Sequence, residues 1–289
     1  MDPVKRSLVS LHITMMLLGA TGLFSILIPL SATDITFARS VFACVCLIIF
    51  VKLTGGSLRL QSTKDYGVAL LLGVIMAVHW ITYFAGMQYA GVSVGMIALF
   101  TFPVITVFLE PFFEKITLHW QDIASAITVL IGIYLIVPST SLQNDVTLGV
   151  LIGVGSAFLY SVRNLLHRKL FSHHGGAKAM AYQTLVISVC LVLFISDDLK
   201  GASTSTLWML CLLGTLFTAL PHALIATSLK YLRVKTFSLV ACMQPFYGVI
   251  FAVILLNESP TWQTLVGGVL VVSAAVYETI NAHRQRPQS

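Results

Sequence analysis

The chain has 289 residues, of which 57% are hydrophobic and only 10% charged, at a mean hydropathy of +0.91, whereas soluble domains carry about 25% charged residues. Its 17 Lys and Arg and 11 Asp and Glu residues are too few to cover a globule in water, which excludes a soluble protein and leaves a lipid bilayer as the partner of most of the surface. The net charge of +6 does not point to nucleic acid, because the basic residues are scattered between apolar runs and form no single patch.

In chain order, Lys5 and Arg6 precede an apolar stretch from Leu8 to Ile28 that is long enough to cross a bilayer and reads as an uncleaved first helix. Nine further spans are predicted at 34 to 52, 64 to 86, 91 to 111, 118 to 137, 147 to 168, 176 to 196, 205 to 229, 234 to 256 and 261 to 283. The joints carry turn chemistry at Pro29, Gly55-Gly56, Gly91, Pro138-Ser139, Gly175-Gly176 and Ser259-Pro260, and no loop is long enough to be a separate domain. The five cysteines, Cys44, Cys46, Cys190, Cys211 and Cys242, lie inside apolar runs without C-x-x-C or Cys/His spacing, so neither a metal site nor a disulfide framework is read from them.

Span two contains Arg39, roughly 6 Å outward from its middle at 1.5 Å per residue, with no acid at that depth; Asp34 is five residues away on another face. Span three carries His79, Trp80, Tyr83 and Phe84; His79, Tyr83 and Gly86 follow i, i+4, i+7 and share one face suited to an organic ligand stacked on aromatics. Pro103 and Pro245, near the middle of spans four and nine, each delete a backbone donor and free a carbonyl that needs a partner or a water-lined cavity. They are the candidate hinges, with Thr101, Gln244 and Tyr247 as nearby hydrogen-bonding groups. Span six offers Tyr160, Arg163, Asn164 and His167, span seven Tyr182 and Gln183, and span eight His222 beside Pro221. Arg163 lies roughly 8 Å inward of its span's middle, at the depth of Asp122 and Glu278, so an ion pair or snorkelling explains it as well as a ligand does. The predicted substrate-binding set is therefore Arg39, His79, Trp80, Tyr83, Tyr160, Asn164, Gln183, His222, Gln244 and Tyr247, with no catalytic residue, metal or cofactor.

Loop charge orients the chain, because cytoplasmic loops are enriched in Lys and Arg. With the N-terminus inside, the inner face collects Lys5, Arg6, Lys52, Arg59, Lys64, Lys115, Arg168, Lys169, Lys178, Lys230, Arg233, Lys235, Arg284 and Arg286, while the outer loops hold only Lys200. This split predicts ten spans with both termini cytoplasmic, in the plasma (inner) membrane of the cell. A shift of 142 positions further places Tyr89 on Tyr231, Pro103 on Pro245, Trp120 on Trp262 and Gln121 on Gln263. The reading is two five-helix repeats, 1–140 and 147–289, joined near Pro138 to Val146. Because five is odd, the second must be inverted relative to the first, an architecture common among secondary transporters.

The order of a mid-helix proline, a Glu at the helix end and a Gly-rich final span, here Pro245, Glu258 and Gly267-Gly268 with Pro103, Glu114 and Gly132 in the first half, resembles the EamA-type branch of the drug/metabolite transporter superfamily. The resemblance covers nearly the whole chain, including Arg39. Glu114 departs from it, lying 11 residues after Pro103 where Glu258 lies 13 after Pro245, so the two glutamates are not treated as equivalent. What the resemblance implies is an all-α membrane protein of ten helices around a central cavity, acting as an exporter or exchanger of a small organic metabolite such as an amino acid by alternating access. A membrane-embedded enzyme acting on a lipid or peptide is the alternative, but no H-E-x-x-H, G-x-S-x-G or mid-membrane aspartate pair is present, and Gly153 to Ala157 does not match the serine-elbow pattern. A channel lacks a ring of acids or a filter-like glycine run. Substrate identity, direction, coupling ion and oligomeric state are not legible.

Overall fold

The computed structural model describes residues 3–113, 117–137, 141–228 and 240–282. Glu114, Lys115, the Pro138-Ser139 joint, Tyr231 and the basic residues Lys230, Arg233, Lys235, Arg284 and Arg286 lie outside them. Every described element is helical. In chain order they are α1 (Pro3–Ala20), which runs through a 3-10 turn (Thr21–Leu23) into α2 (Phe24–Leu27), α3 (Ala32–Leu53), α4 (Thr63–Ala90), α5 (Val92–Leu99), α6 (Phe102–Phe113), α7 (Trp120–Ile136), α8 (Asp145–Leu170), α9 (Gly176–Leu191), the short α10 (Asp197–Lys200), α11 (Thr204–Gly214), α12 (Leu220–Ser228), α13 (Gln244–Leu255) and α14 (Trp262–Ala282).

Among the described residues, seven helices are long and apolar enough to cross a membrane: 7–27, 32–53, 63–90, 92–113, 145–170, 176–194 and 204–225. Three shorter apolar helices, Trp120–Ile136, Gln244–Leu255 and Trp262–Glu278, occupy the segments expected to be spans five, nine and ten. The chain is a multi-pass membrane protein. Its outer surface agrees with lipid as solvent, since Val45, Ile49, Leu70, Leu130 and Val269 are all exposed, an arrangement that water would penalise. Trp120 and Trp262 are also exposed, at the first residues of α7 and α14, where amphipathic rings favour a membrane interface.

The helix starts follow local capping chemistry. Ser31 accepts from the Asp34 N–H at 3.1 Å, Ser62 and Asp65 form a capping box, Asn144 accepts from Thr147 N–H at 3.1 Å and Ser203 accepts from Thr206 N–H at 3.2 Å, each satisfying an orphan donor of a first turn. Another cap comes from far away in sequence: Glu258 takes the N–H of Val92 at 2.6 Å and of Ser93 at 3.0 Å. The glutamate of the sequence motif thus ties the end of the ninth expected span to the positive end of α5. Asp34, five residues from Arg39, is likewise committed elsewhere, accepting from Ser31 Oγ, Ser196 N–H and Ser196 Oγ.

Spans four and nine are not kinked continuous helices. Each is interrupted just before its proline, at Phe100–Thr101 and at Cys242–Met243, and the proline is the second residue of the helix that follows, the first-turn position where its missing N–H costs least. The hydrogen bonds around the two interruptions match in register: Thr101 N–H to Ala98 C=O and Met243 N–H to Val240 C=O, then Ile105 N–H to Thr101 C=O and Tyr247 N–H to Met243 C=O. Each pair is 142 positions apart.

Side by side, α4 packs along α8, α3 along α9 and α7 along α14. Several neighbours come in pairs that exchange when the expected halves are swapped: α4 with α8 and α1 with α12, α6 with α8 and α1 with α13, α3 with α11 and α4 with α9. Glycine permits the closest approaches. A Cβ on Gly149 of α8 would stand 2.7 Å from the Gly86 carbonyl of α4, and one on Gly267 of α14 would stand 2.5 Å from the Gly132 carbonyl of α7. Small residues that admit such backbone contact replace the hydrophobic driving force that lipid removes. On α8, Gly149 and Gly153 pack in this way against Gly86, Ala90 and Ala98.

Candidate functional site

A cavity of about 490 Å³ lies where the two interruptions meet, lined by residues of α1, α3, α4, α5, α6, α8, α12 and the segment leading into α13. Of the twelve residues singled out from sequence, Arg39, His79, Trp80, Tyr83, Pro103, Tyr160, Asn164, His222 and Gln244 line it. Gln183, Tyr247 and Pro245 do not. Gln183 is fully buried behind the wall, Tyr247 packs beside Leu11 and Met15, and Pro245 is buried in the first turn of α13.

Arg39 is 3% exposed, its guanidinium carbon 4.0 Å from the Trp80 ring centroid and 5.0 Å from that of Phe84. Its Nε has no hydrogen-bond partner among the described residues, and no described carboxylate pairs with it. The charge is thus held by aromatic faces on one side, and its planar fork keeps donors to offer.

Arg163 is arranged differently. Neither Asp122 nor Glu278 reaches it; Nε donates to Gln183 Oε1 at 2.8 Å and one terminal nitrogen donates to Asn164 Oδ1 at 2.9 Å. Asp122 instead caps α7 through the His119 N–H at 2.6 Å. Arg163 therefore lines the cavity held by two neutral amides, which orient its charge without cancelling it. The sequence set it aside because acids of similar depth were available, and it could have been found only through a helical face shared with Tyr160 and Asn164.

The aromatic wall is continuous. The His79 ring stacks on Tyr160 at 4.8 Å and 25° and lies 6.2 Å from Tyr83, while Phe102 meets Tyr160 edge-on at 5.0 Å. His79 Nδ1 lies 3.0 Å from the Ser156 carbonyl and 2.8 Å from Ser156 Oγ, and the tautomer with its proton on Nδ1 donates to that carbonyl. Ser156 Oγ returns the contact by donating to the His79 carbonyl at 2.9 Å.

His222 is placed by a π-helical turn, Thr215–Ala219, a distortion that recurs at functional sites. Its Nδ1 contacts the Thr218 carbonyl at 2.7 Å. Pro221 cannot donate to the carbonyl four residues back, that of Phe217, and the Thr21 hydroxyl of the first span supplies the missing donor at 3.2 Å. This is the freed-carbonyl logic expected at Pro103 and Pro245, observed at Pro221. Met76, Thr21, Phe100 and Phe102 are further lining residues that carried no signal beyond apolar or polar helix positions, and His167, noted on span six but left out of the predicted set, lines the cavity as well.

The lining has a pattern in position. Leu18 and Tyr160, Thr21 and Arg163, Trp80 and His222, Tyr83 and Ile225, Leu99 and Ala241, Phe100 and Cys242, and Phe102 and Gln244 are seven pairs, each 142 positions apart. No Asp or Glu is among the described lining residues, which include two arginines, three histidines and two tyrosines. Chemically, such a chamber suits a flat organic group against the aromatic wall with an acidic group toward a guanidinium.

Known proteins give an independent comparison. A protein of Bacillus subtilis (strain 168) named "Uncharacterized transporter YxxF" is 23% identical over 285 residues, 95% of this chain and 89% of its own. An "S-adenosylmethionine uptake transporter" of Rickettsia bellii (strain RML369-C) is 22% identical over 256 residues, 86% of this chain and 84% of its own. A "Riboflavin transporter" of Vibrio cholerae serotype O1 is 24% identical over 204 residues, covering 70% and 67%. One solved crystal structure is similar in fold, with a TM-score of 0.65 at 15% identity over 98% of this chain and 99% of that one. These relatives point to a small-molecule transporter and away from an enzyme. The model of the EamA-like transporter family matches residues 6–137 and again 147–277, and the chain belongs to that family.

Proposed function

We propose that this protein is a secondary transporter that moves a small anionic or zwitterionic organic metabolite by alternating access, with ten spans arranged as two inverted five-helix repeats, 1–140 and 147–289, and both termini cytoplasmic. The observation that carries the substrate class is the chamber itself: two guanidiniums, Arg39 and Arg163, and no carboxylate among the described lining residues. An acidic substrate group supplies the countercharge that the described protein does not. The substrate-binding set is Arg39, His79, Trp80, Tyr83, Tyr160, Asn164, His222 and Gln244, joined by Arg163, with Gln183 positioning Arg163 from behind. Tyr247 moves to a packing role.

The two-repeat reading is supported by the two stretches matched by the family model, the paired packing of the helices, the matching hydrogen bonds around Phe100–Thr101 and Cys242–Met243 and the seven position pairs lining the cavity. Interrupted helices at the meeting point of two repeats are the usual place for a substrate in such transporters. The relatives named for S-adenosylmethionine and riboflavin handle molecules with fused heteroaromatic rings, in keeping with the stacked wall of His79, Tyr83 and Tyr160.

Uptake into proteoliposomes tests the reading. Aromatic and aliphatic carboxylates should move, and their amides or amines should move far less. Movement of no metabolite, together with turnover of a lipid or peptide by the purified protein, would establish the enzyme instead.

A further inference from the structure

At one edge of the bundle, away from the cavity, the start of α4 meets the turn between α8 and α9. We propose that Asp65, His173 and His174 form a binding site for a divalent transition-metal ion, zinc by its chemistry, that clamps these three helices together. One ligand atom from each residue lies within 4.8 Å of the others. His173 Nε2 stands 3.5 Å from Asp65 Oδ1 and His174 Nε2 stands 3.3 Å from Asp65 Oδ2. Zinc bonds of 2.0–2.2 Å to nitrogen and oxygen place neighbouring ligands of a tetrahedron roughly 3.3–3.5 Å apart, and each imidazole already stands about that far from one of the two Asp65 oxygens.

A plain ion pair explains the geometry less well. The His174 side chain is 1% exposed, yet its Nε2 makes no well-directed hydrogen bond among the described residues. The Asp65 oxygen at 3.3 Å is its nearest polar contact, and a metal bound between the ring nitrogen and the carboxylate would satisfy both.

The parts are held in place before any ion arrives. The Asp65 carboxylate accepts the Ser62 N–H at 2.9 Å within the capping box, the kind of outer hydrogen bond that orients metal ligands. Both imidazoles sit on Phe171, a fully buried ring, at 4.6 Å and 6.2 Å between centroids. Adjacent side chains diverge along a strand, but residues 171–174 form a turn, which lets two neighbours converge. His173 is exposed, leaving an entry path and a fourth position for water. Two imidazoles with one carboxylate suit zinc, copper or nickel better than calcium or magnesium, which take oxygen shells.

The site escaped the sequence reading of no metal because its acid and its histidines are remote in the chain. It stands apart from the transport reading, although α4, α8 and α9 also carry His79, Arg163 and Gln183. The test is zinc titration by calorimetry of the full chain, metal-stripped in detergent, paired with cobalt absorption spectroscopy. The expected result is one zinc per chain and the strong visible bands of four-coordinate cobalt. His173→Gln, Asp65→Asn and His174→Gln should each weaken zinc by at least the tenfold or so that loss of an outer hydrogen-bond partner alone produces. Absence of stoichiometric binding, or undiminished binding in His173→Gln, overturns the proposal. Since the His173 ring is exposed, that variant decides the matter even if His174→Gln fails to fold.

Discussion

Replacing Arg39 by alanine should separate stability from transport, because the residue is a buried charge with no described acid to strand. Its stacking on Trp80 and Phe84, at 4.0 and 5.0 Å, contributes about 0.5–2 kcal/mol. Against that loss stands relief from keeping an unneutralised ion out of water, which costs several kcal/mol. The two oppose each other, so the folded state should lose no more than about 2 kcal/mol of stability. Binding has no such compensation. Charge-assisted hydrogen bonds to a carboxylate contribute about 1.5–3 kcal/mol, which at 1.4 kcal/mol per tenfold corresponds to roughly a 10- to 150-fold loss of affinity.

Arg39→Lys retains the charge but not the fork and should fall between wild type and alanine. The assays are uptake of an acidic metabolite by proteoliposomes, fitted for KM, and thermal unfolding in detergent. An unchanged KM in Arg39→Ala refutes the site assignment. Failure of both variants to fold would make the residue structural. Arg163→Ala provides the contrast: it strands the oxygen of Gln183, a residue fully buried and bonded to Arg163 at 2.8 Å, and should destabilise by about 1–3 kcal/mol as well as weaken binding.

Other consequences follow from the same geometry. Glu258→Ala removes the carboxylate from the N-terminal donors of α5 and should cost about 1–2 kcal/mol, read by denaturant unfolding in mixed micelles; no loss would mean that solvent or another group caps that end. Gly267→Ala places a methyl 2.5 Å from the Gly132 carbonyl and should destabilise the α7/α14 contact by about 1–3 kcal/mol, whereas Gly67→Ala, which meets nothing within 4 Å, should leave the melting temperature unchanged. Pro103→Ala and Pro245→Ala restore a backbone donor beside each interruption and should slow transport with little effect on unfolding; normal rates in both would dismiss the interruptions as moving parts. Single cysteines at Ser141 and Ser57, in a background without reactive thiols, should be labelled from outside and from inside respectively by an impermeant reagent, and the reverse pattern would invert the topology.

The helices were legible because lipid imposes a coarse rule, about twenty apolar residues per crossing, on sequence that polar joints then divide. Arg39 was legible for a related reason: a charge in an apolar run has few places to go. Arg163 was not, since sequence gives depth but not azimuth, and a carboxylate at the right depth on α7 or α14 looked as available as the Gln183 amide that holds it. The interruptions at Phe100–Thr101 and Cys242–Met243 were read as bends, because a proline signals a missing donor but not whether the helix continues around it. The Glu258 cap was invisible for want of a contact 166 positions away. Long-range pairing of polar groups is decided by packing, and packing here depends on glycine contacts that composition alone does not order.

The chamber's positions are paired while its chemistry is not. Under the 142-residue shift, Arg163 faces Thr21, Tyr160 faces Leu18, Tyr83 faces Ile225 and Phe102 faces Gln244, all of them lining residues. Arg39 corresponds to Ala181, which is buried outside the cavity. A paired frame suits exchange between two states of similar energy, since each half can adopt the arrangement of the other. The binding chemistry has no need of that symmetry, and an asymmetric metabolite has none to offer. Charge and most of the stacking surface gather on α3, α4 and α8, while α1, α12 and the entry to α13 contribute the apolar Leu18, Ile225, Ala241 and Cys242 beside the polar His222 and Gln244. In the proposed cycle the substrate therefore stays attached to one wall while the plainer wall moves past it, so substitutions that alter affinity should cluster on α3, α4 and α8, joined by His222 and Gln244, and those that alter rate alone on the apolar lining positions Leu18, Ile225, Ala241 and Cys242.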